Sequence, residues 1–189
     1  MTDILLSYNE VSSTARKAAS GAGLPHGVAE EIGQAAVWLS ARGLDAVGIA
    51  VRALSGSGPR TILAGLPAID TLCSGEGPDE AALEGADCSL LLLALAGVAS
   101  DNVGLSLAVK REDGSLLPLD AACREPATNR LCLVRRGQGD TAEATLSSRP
   151  AATSEAAYAA ALALAAKTYV PASDLSRAMG AGAGTTDND

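Results

Sequence analysis

Ser173, Ser176 and Arg177 stand a few residues ahead of three alternating glycines, Gly180, Gly182 and Gly184, and no other stretch of the 189 residues gathers so many special side chains. The chemistry this spacing offers is recognition of a small anion. Pro171 fixes its own φ and pushes Ala172 toward extended geometry, so Ser173 can cap a short helix that ends at Gly180. Successive N–H groups in a glycine-rich run can form an anion-binding concavity, and the planar fork of Arg177 suits a carboxylate or phosphate. Two other readings of the same letters stay open. The segment can be a packing element docked on its own domain or on a sister subunit, which makes the protein a structural homo-oligomer, or it can be a frayed end.

Reactive chemistry elsewhere in the chain is sparse. Asp187, Asn188 and Asp189 bring hard oxygen ligands of the kind Mg²⁺ or Ca²⁺ takes, but no cage surrounds them in sequence, so no metal is assigned. His26, the one histidine, lies in the loop Leu24-Pro25-His26-Gly27 without a carboxylate or nucleophile as evident partner. Glu30 and Glu31 are explained by a helix N-terminus. Cys73, Cys88, Cys123 and Cys132 lack CxxC spacing and read as reduced core thiols. Ser74-Gly75-Glu76-Gly77-Pro78 has no following Lys-Ser/Thr pair and is a turn, not a phosphate cradle. No GxSxG frame occurs. No catalytic residue and no cofactor follow from these residues.

Composition narrows the partners. The net charge of −8 argues against nucleic acid or an anionic membrane as partner, since both need a basic face. The longest apolar run, Leu90 to Ala99, is about half the ~20 residues a spanning helix needs. The opening Met1-Thr2-Asp3-Ile4-Leu5 has no basic region of the signal-peptide kind, so a cytoplasmic location is expected. With aromatics at 2% and no Phe, the core must rest on Ala, Leu, Val and Ile, which favours close helix packing.

The positioning elements follow from period and caps. Ser7 and Glu10 form a capping box, and Val11, Ala15, Ala18, Ala19 and Ala22 predict a helix over about 8–21. Val28, Ile32, Ala35, Ala36 and Leu39 predict a second, with Glu30 and Glu31 in its first turn, Arg42 in its last and Gly43 as the stop. Trp38 is the one large aromatic plate between this pair and the rest. A third helix is expected over Leu44 to Leu54 and a fourth, interrupted by Gly65 and Pro67, over Arg60 to Cys73. Ser89 to Ala99 is apolar all round and fits either a helix or a buried strand.

Gly104 to Val109, a turn at Glu112-Asp113-Gly114 and Ser115 to Leu119 predict a hairpin, with Pro118 placing its return strand at an edge. Arg130 to Arg136 and Ala142 to Ser148 predict two more strands; Arg135 and Arg136 then face opposite sides and form no basic cluster. A helix opened by Thr153-Ser154-Glu155 is expected to cover the sheet. The expected class is α+β in a single domain: a helical part over 1–75, an antiparallel β-meander of three to four strands with its covering helix over 76–170, and the Gly-rich segment 171–189.

Two resemblances add to this. Leu6-Ser7-Tyr8-Asn9-Glu10, Ala15-Arg16-Lys17-Ala18-Ala19, Gly21-Ala22-Gly23, Ala29-Glu30-Glu31 and Trp38-Leu39, with Val170-Pro171-Ala172-Ser173, Ser176-Arg177 and Gly180 to Gly184, resemble a bacterial family classed as a domain of unknown function. That resemblance implies no activity. More loosely, residues 6 to 52, with Ala41-Arg42-Gly43-Leu44-Asp45-Ala46-Val47-Gly48-Ile49, are similar to the N-terminal part of the non-Rossmann malate/L-lactate dehydrogenases. Those enzymes carry a Ser-His pair where this chain has Ala46 and Val47, so the resemblance implies a divergent dehydrogenase-like enzyme without its usual imidazole.

Overall fold

A helical N-terminal half feeds a four-stranded antiparallel sheet, which makes the protein α+β. The computed structural model describes residues 3–75, 77–136 and 146–168. Helix α1 (Tyr8–Gly21) starts where the sequence expects it: Ser7 Oγ accepts the Glu10 N–H, and the Glu10 carboxylate accepts the Ser7 N–H at 2.7 Å. Those two bonds satisfy donors that a helix N-terminus otherwise leaves bare, and they hold the Glu10 carboxyl below its ordinary value. Helix α2 (His26–Ala41) begins directly after Pro25, earlier than its apolar stripe suggests, so Glu30 and Glu31 fall beyond the first turn. Glu30 instead meets Arg16 of α1 at 3.6 Å. Gly43, at φ 81, stops α2, and Asp45 then caps α3 (Ala46–Ala53) by accepting the Gly48 N–H at 2.9 Å.

Helix α4 (Gly58–Ser74) runs unbroken through Pro67, where the sequence suggests an interruption. The proline ring lies on the exposed side, while Ile62, Gly65, Ile69 and Leu72 are buried on the other. Tertiary packing therefore outweighs the lost backbone bond. Helix α5 (Ser89–Val103), entered through a short 3₁₀ turn at Ala86–Cys88, settles the ambiguous apolar run. Leu91 through Ala96 are all nearly solvent-free, because α2, α3 and α4 pack on one part of this helix and the sheet on another. An all-round apolar helix is stable only at such a central place.

The sheet has the order β2 (Glu80–Glu84), β5 (Arg130–Arg136), β3 (Ser106–Lys110), β4 (Leu116–Pro118). The hairpin β3–β4 and the edge position of Pro118 match expectation, as do four antiparallel strands. The order is not a sequential meander, since β5 inserts between β2 and β3 with Leu133 opposite both Ala81 and Val109. Strand β2, which the sequence does not announce, supplies the fourth place. Of the strand expected over Ala142 to Ser148, residues 142–145 lie outside the described residues and 146–148 form none. Leu83, Leu107, Leu131 and Leu133 are buried on the inner face, where α4 and α5 provide the cover.

Helix α7 (Glu155–Ala165) is not that cover. It packs on α1 and α3, with the backbone carbonyl of Leu164 so close to Gly21 that no Cβ fits between them. A glycine on α1 thus decides where α7 docks. The approach to α7 is fixed by Ser147 N–H donating to Ala41 O at 2.7 Å and by the two-stranded pair β1 (Asp3–Ile4) with β6 (Thr153–Ser154). No described helix is long and apolar enough to cross a membrane.

Candidate ligand-binding groove

A space of about 720 Å³ opens between the start of α5 and one end of the sheet's inner face. Its floor is Leu90 and Leu93 from α5 with Val109, Leu117 and Leu131 from β3, β4 and β5. Leu93 and Leu131 are buried, whereas Leu90, Val109 and Leu117 stay half-buried because no described residue fills the space above them. The strands put these residues there by alternation: Val109 pairs with Leu117 across the hairpin, and Leu131 lies two residues from Leu133 on the same face.

One wall is the β3–β4 turn, residues 110–113, and the other is the loop from Ala122 to Asn129 after the short helix α6 (Leu119–Ala122). The turn is stiff, since the Asp113 carboxylate accepts both the Ser115 N–H at 2.9 Å and the Ser115 hydroxyl at 2.6 Å. These bonds hold the Asp113 carboxyl below its ordinary value. The loop is tied down at its far end, where Gly85 N–H donates to Asn129 O at 2.7 Å and Thr128 N–H donates to Ser89 Oγ at 3.3 Å. Arg111 of one wall and Glu125 of the other form an ion pair at 2.9 Å. Lys110 turns to the outer face and meets Glu80 at 2.7 Å, and Glu80 also accepts from the Cys132 thiol at 3.0 Å. Those two donors, the thiol first, hold the Glu80 carboxyl down. The groove therefore presents an apolar floor and a wall-to-wall Arg–Glu pair, the pattern of a small-molecule site.

A second cavity, of about 90 Å³, lies where α2 meets α5 and α6. The Arg42 guanidinium stacks 3.4 Å from the centre of the Trp38 ring, pairs with Asp120 and donates to Trp38 O at 3.1 Å. Trp38 Nε1–H donates to Asp101 Oδ2 at 3.1 Å. At that volume the space is well below the ~300 Å³ at which ligand sites begin, so the cluster is a joint between elements. A third depression, beside Asn9, Ser12, Arg16, Glu30 and Gln34, is lined by side chains of polar type and has no aliphatic floor.

The residues singled out from sequence fare unevenly. Ser173, Ser176, Arg177, Gly180, Gly182 and Gly184 lie outside the described residues, as do Asp187, Asn188 and Asp189. His26 is 79% exposed and sits 3.4 Å from Glu30, away from the groove. Arg135 turns inward to pair with Asp79, whereas Arg136 borders the α2 joint, so the two do not act together. All four cysteines are free. Burial pushes the Cys88 and Cys123 thiols up, which suits inert core positions. Among the described residues no three His, Cys, Asp or Glu side chains converge as metal ligands.

Sequence reasoning missed the groove itself. The run Arg124-Glu125-Pro126-Ala127-Thr128-Asn129, which forms its second wall, shows in the sequence only as a segment with neither helix nor strand period.

Residues 6–75 match the model of a family described as Protein of unknown function (DUF3726). The match spans α1 to α4 and includes the N-terminal motifs of the expected resemblance; the C-terminal stretch lies beyond it. The likeness to malate/L-lactate dehydrogenases gains no support. In the structure Ala46 and Val47 are buried at the start of α3, in core packing. Searches of curated proteins and of solved structures each returned no match.

Proposed function

We propose that this chain, built on a helical unit shared with a family of unknown function, binds a small molecule with an apolar body in the groove between α5 and the sheet. The observation that carries the reading is the floor of Leu90, Leu93, Val109, Leu117 and Leu131, three of whose members stay half-buried beneath space that no described residue fills. Covering such surface contributes about 25 cal/mol per Å². The neutral dye N-phenyl-1-naphthylamine should bind with a saturable rise in fluorescence. Leu117→Trp, on the edge strand, should lay an indole over part of the floor and weaken dye binding about tenfold, equivalent to 1.4 kcal/mol. Equal binding by a folded Leu117→Trp variant would remove the groove from consideration. The protein works in the cytoplasm on this reading, and its four free cysteines agree with a reducing compartment.

The Gly-rich segment is a further part of the proposal, as an anion subsite made by Ser173, Ser176, Arg177 and the three glycines. Arg177→Ala should then abolish ligand-induced thermal stabilisation in a metabolite screen, and an undiminished shift would count against the subsite.

A second reading, a homo-oligomer, has one observation in its favour. The outer face of α7 carries Ala156, Ala159, Leu162 and Ala163, all exposed, with Leu162 at 46%. Helices that are apolar all round are ordinarily covered on every side. Light scattering on a sizing column should show a dimer that Leu162→Glu converts to monomer; a monomeric parent protein would end this reading.

A further inference from the structure

We infer that the groove takes a monocarboxylate with an aliphatic or similarly apolar body, that Arg111 is its anchor, and that Glu125 occupies the carboxylate position when the groove is empty. The inference rests on the binding reading above and adds the ligand's polar end.

Arg111 and Glu125 project from opposite walls and meet at 2.9 Å, with 45% and 52% of their side chains exposed. A pair so open to water is worth little, and a competing carboxylate exchanges with it at small cost. Only one guanidinium nitrogen, Nη2, is engaged with Glu125, so the fork has further N–H groups to receive a planar two-oxygen partner. The loop does not depend on the pair for its position. Its far end is held by Gly85 and Ser89, and Glu125 N–H itself donates to Ala122 O at 3.1 Å. Release of the Glu125 side chain therefore leaves the wall standing.

The neighbouring charges choose the ligand's valence. Lys110 is committed to Glu80 on the outer face of the sheet. On the turn beside Arg111 stand Glu112 and Asp113, both exposed, and they repel any anion brought to that wall. Arg130 also borders the groove, but alternation along β5 puts it with Cys132 on the outer face, so among the described residues Arg111 is the cation that faces the space. With two carboxylates beside it the wall balances a single negative charge and disfavours a dianion such as a phosphate monoester. The five apolar floor residues then hold the remainder of the molecule.

Isothermal titration at pH 7 with octanoate, 1-octanol and octyl phosphate, on the full chain and on R111Q and E125Q, tests this. Octanoate should bind the parent protein and displace N-phenyl-1-naphthylamine. R111Q should weaken octanoate about tenfold, the scale of one charge-assisted bond, and leave 1-octanol unchanged. E125Q should tighten octanoate about threefold by removing the internal competitor. Octanoate affinity unmoved in both variants, with dye displacement intact, overturns the carboxylate assignment and leaves the groove as a purely apolar site. Octyl phosphate binding more tightly than octanoate overturns the monovalent class. Failure of dye, octanol and octanoate alike overturns the binding reading itself. Both substitutions change half-exposed side chains, and an unchanged unfolding temperature shows that each variant is folded.

Discussion

Arg42→Met is expected to lower the unfolding free energy by about 3 kcal/mol, the low end of the loss incurred when one partner of a buried ion pair is removed. The Arg42 side chain is only 9% exposed, and Asp120, its partner, is 29% exposed. Asp120 therefore keeps some access to water when its cation is lost. The same change takes away the guanidinium stacked 3.4 Å from the Trp38 ring, a contact worth about 2 kcal/mol when desolvated. Met approximates the length of the arginine stem, so lost volume is a minor contribution. Urea unfolding measures the effect, and Trp38, the chain's single tryptophan, reports it by a red shift of its emission. Asp120→Asn alone should also destabilise, and the double variant should lose less than the two single losses combined. Strict additivity would show that the two side chains do not act as a pair.

Gly97→Ala is expected to cost about 3 kcal/mol, the upper part of the usual range for an overpacked core. A Cβ at this position of α5 would lie 2.5 Å from Trp38 Cε2, 2.6 Å from Cζ2 and 2.8 Å from Nε1, all inside van der Waals contact. The ring has nowhere to retreat, because Arg42 stacks on its face and Asp101 holds its N–H. Trp38→Leu should relieve the clash, so Gly97→Ala is expected to be nearly neutral in that background. A full loss in both backgrounds would place the strain elsewhere on α5. Both predictions concern one joint. Trp38 and Arg42 belong to the family-matched stretch, while Gly97, Asp101 and Asp120 come from the part of the chain beyond it. The joint thus fixes the helical unit to α5, which in turn floors the groove.

Parts of the candidate site were legible in the sequence. The turn at Glu112-Asp113-Gly114 announced the wall that bears Arg111, and the alternation of β5 placed Leu131 and Leu133 on one face. The spacing of Trp38 and Arg42, four apart on a helix, was visible too, since such residues are neighbours on the helix surface. What they grip was not visible, because Asp101 and Asp120 lie 63 and 78 residues away from their respective partners. Glu125 gave no sign of meeting Arg111 for the same reason. The Gly-rich end remains a matter of sequence, as its residues fall outside those described.

The letters alone determined α1 with its capping box, the helical half, the β3–β4 hairpin and the α+β class. Each of these depends on caps, turns and periods that act over a few neighbouring residues. Only the tertiary structure decided that Ser89–Val103 is a helix, that β5 lies between β2 and β3, that α7 packs on α1, and that a groove stays open beside α5. A segment apolar on every side has no period to reveal its form. Strand order and empty space depend on which distant surfaces meet, and contacts such as Gly21 against Leu164 or Gly97 against Trp38 exist only once the chain has closed on itself.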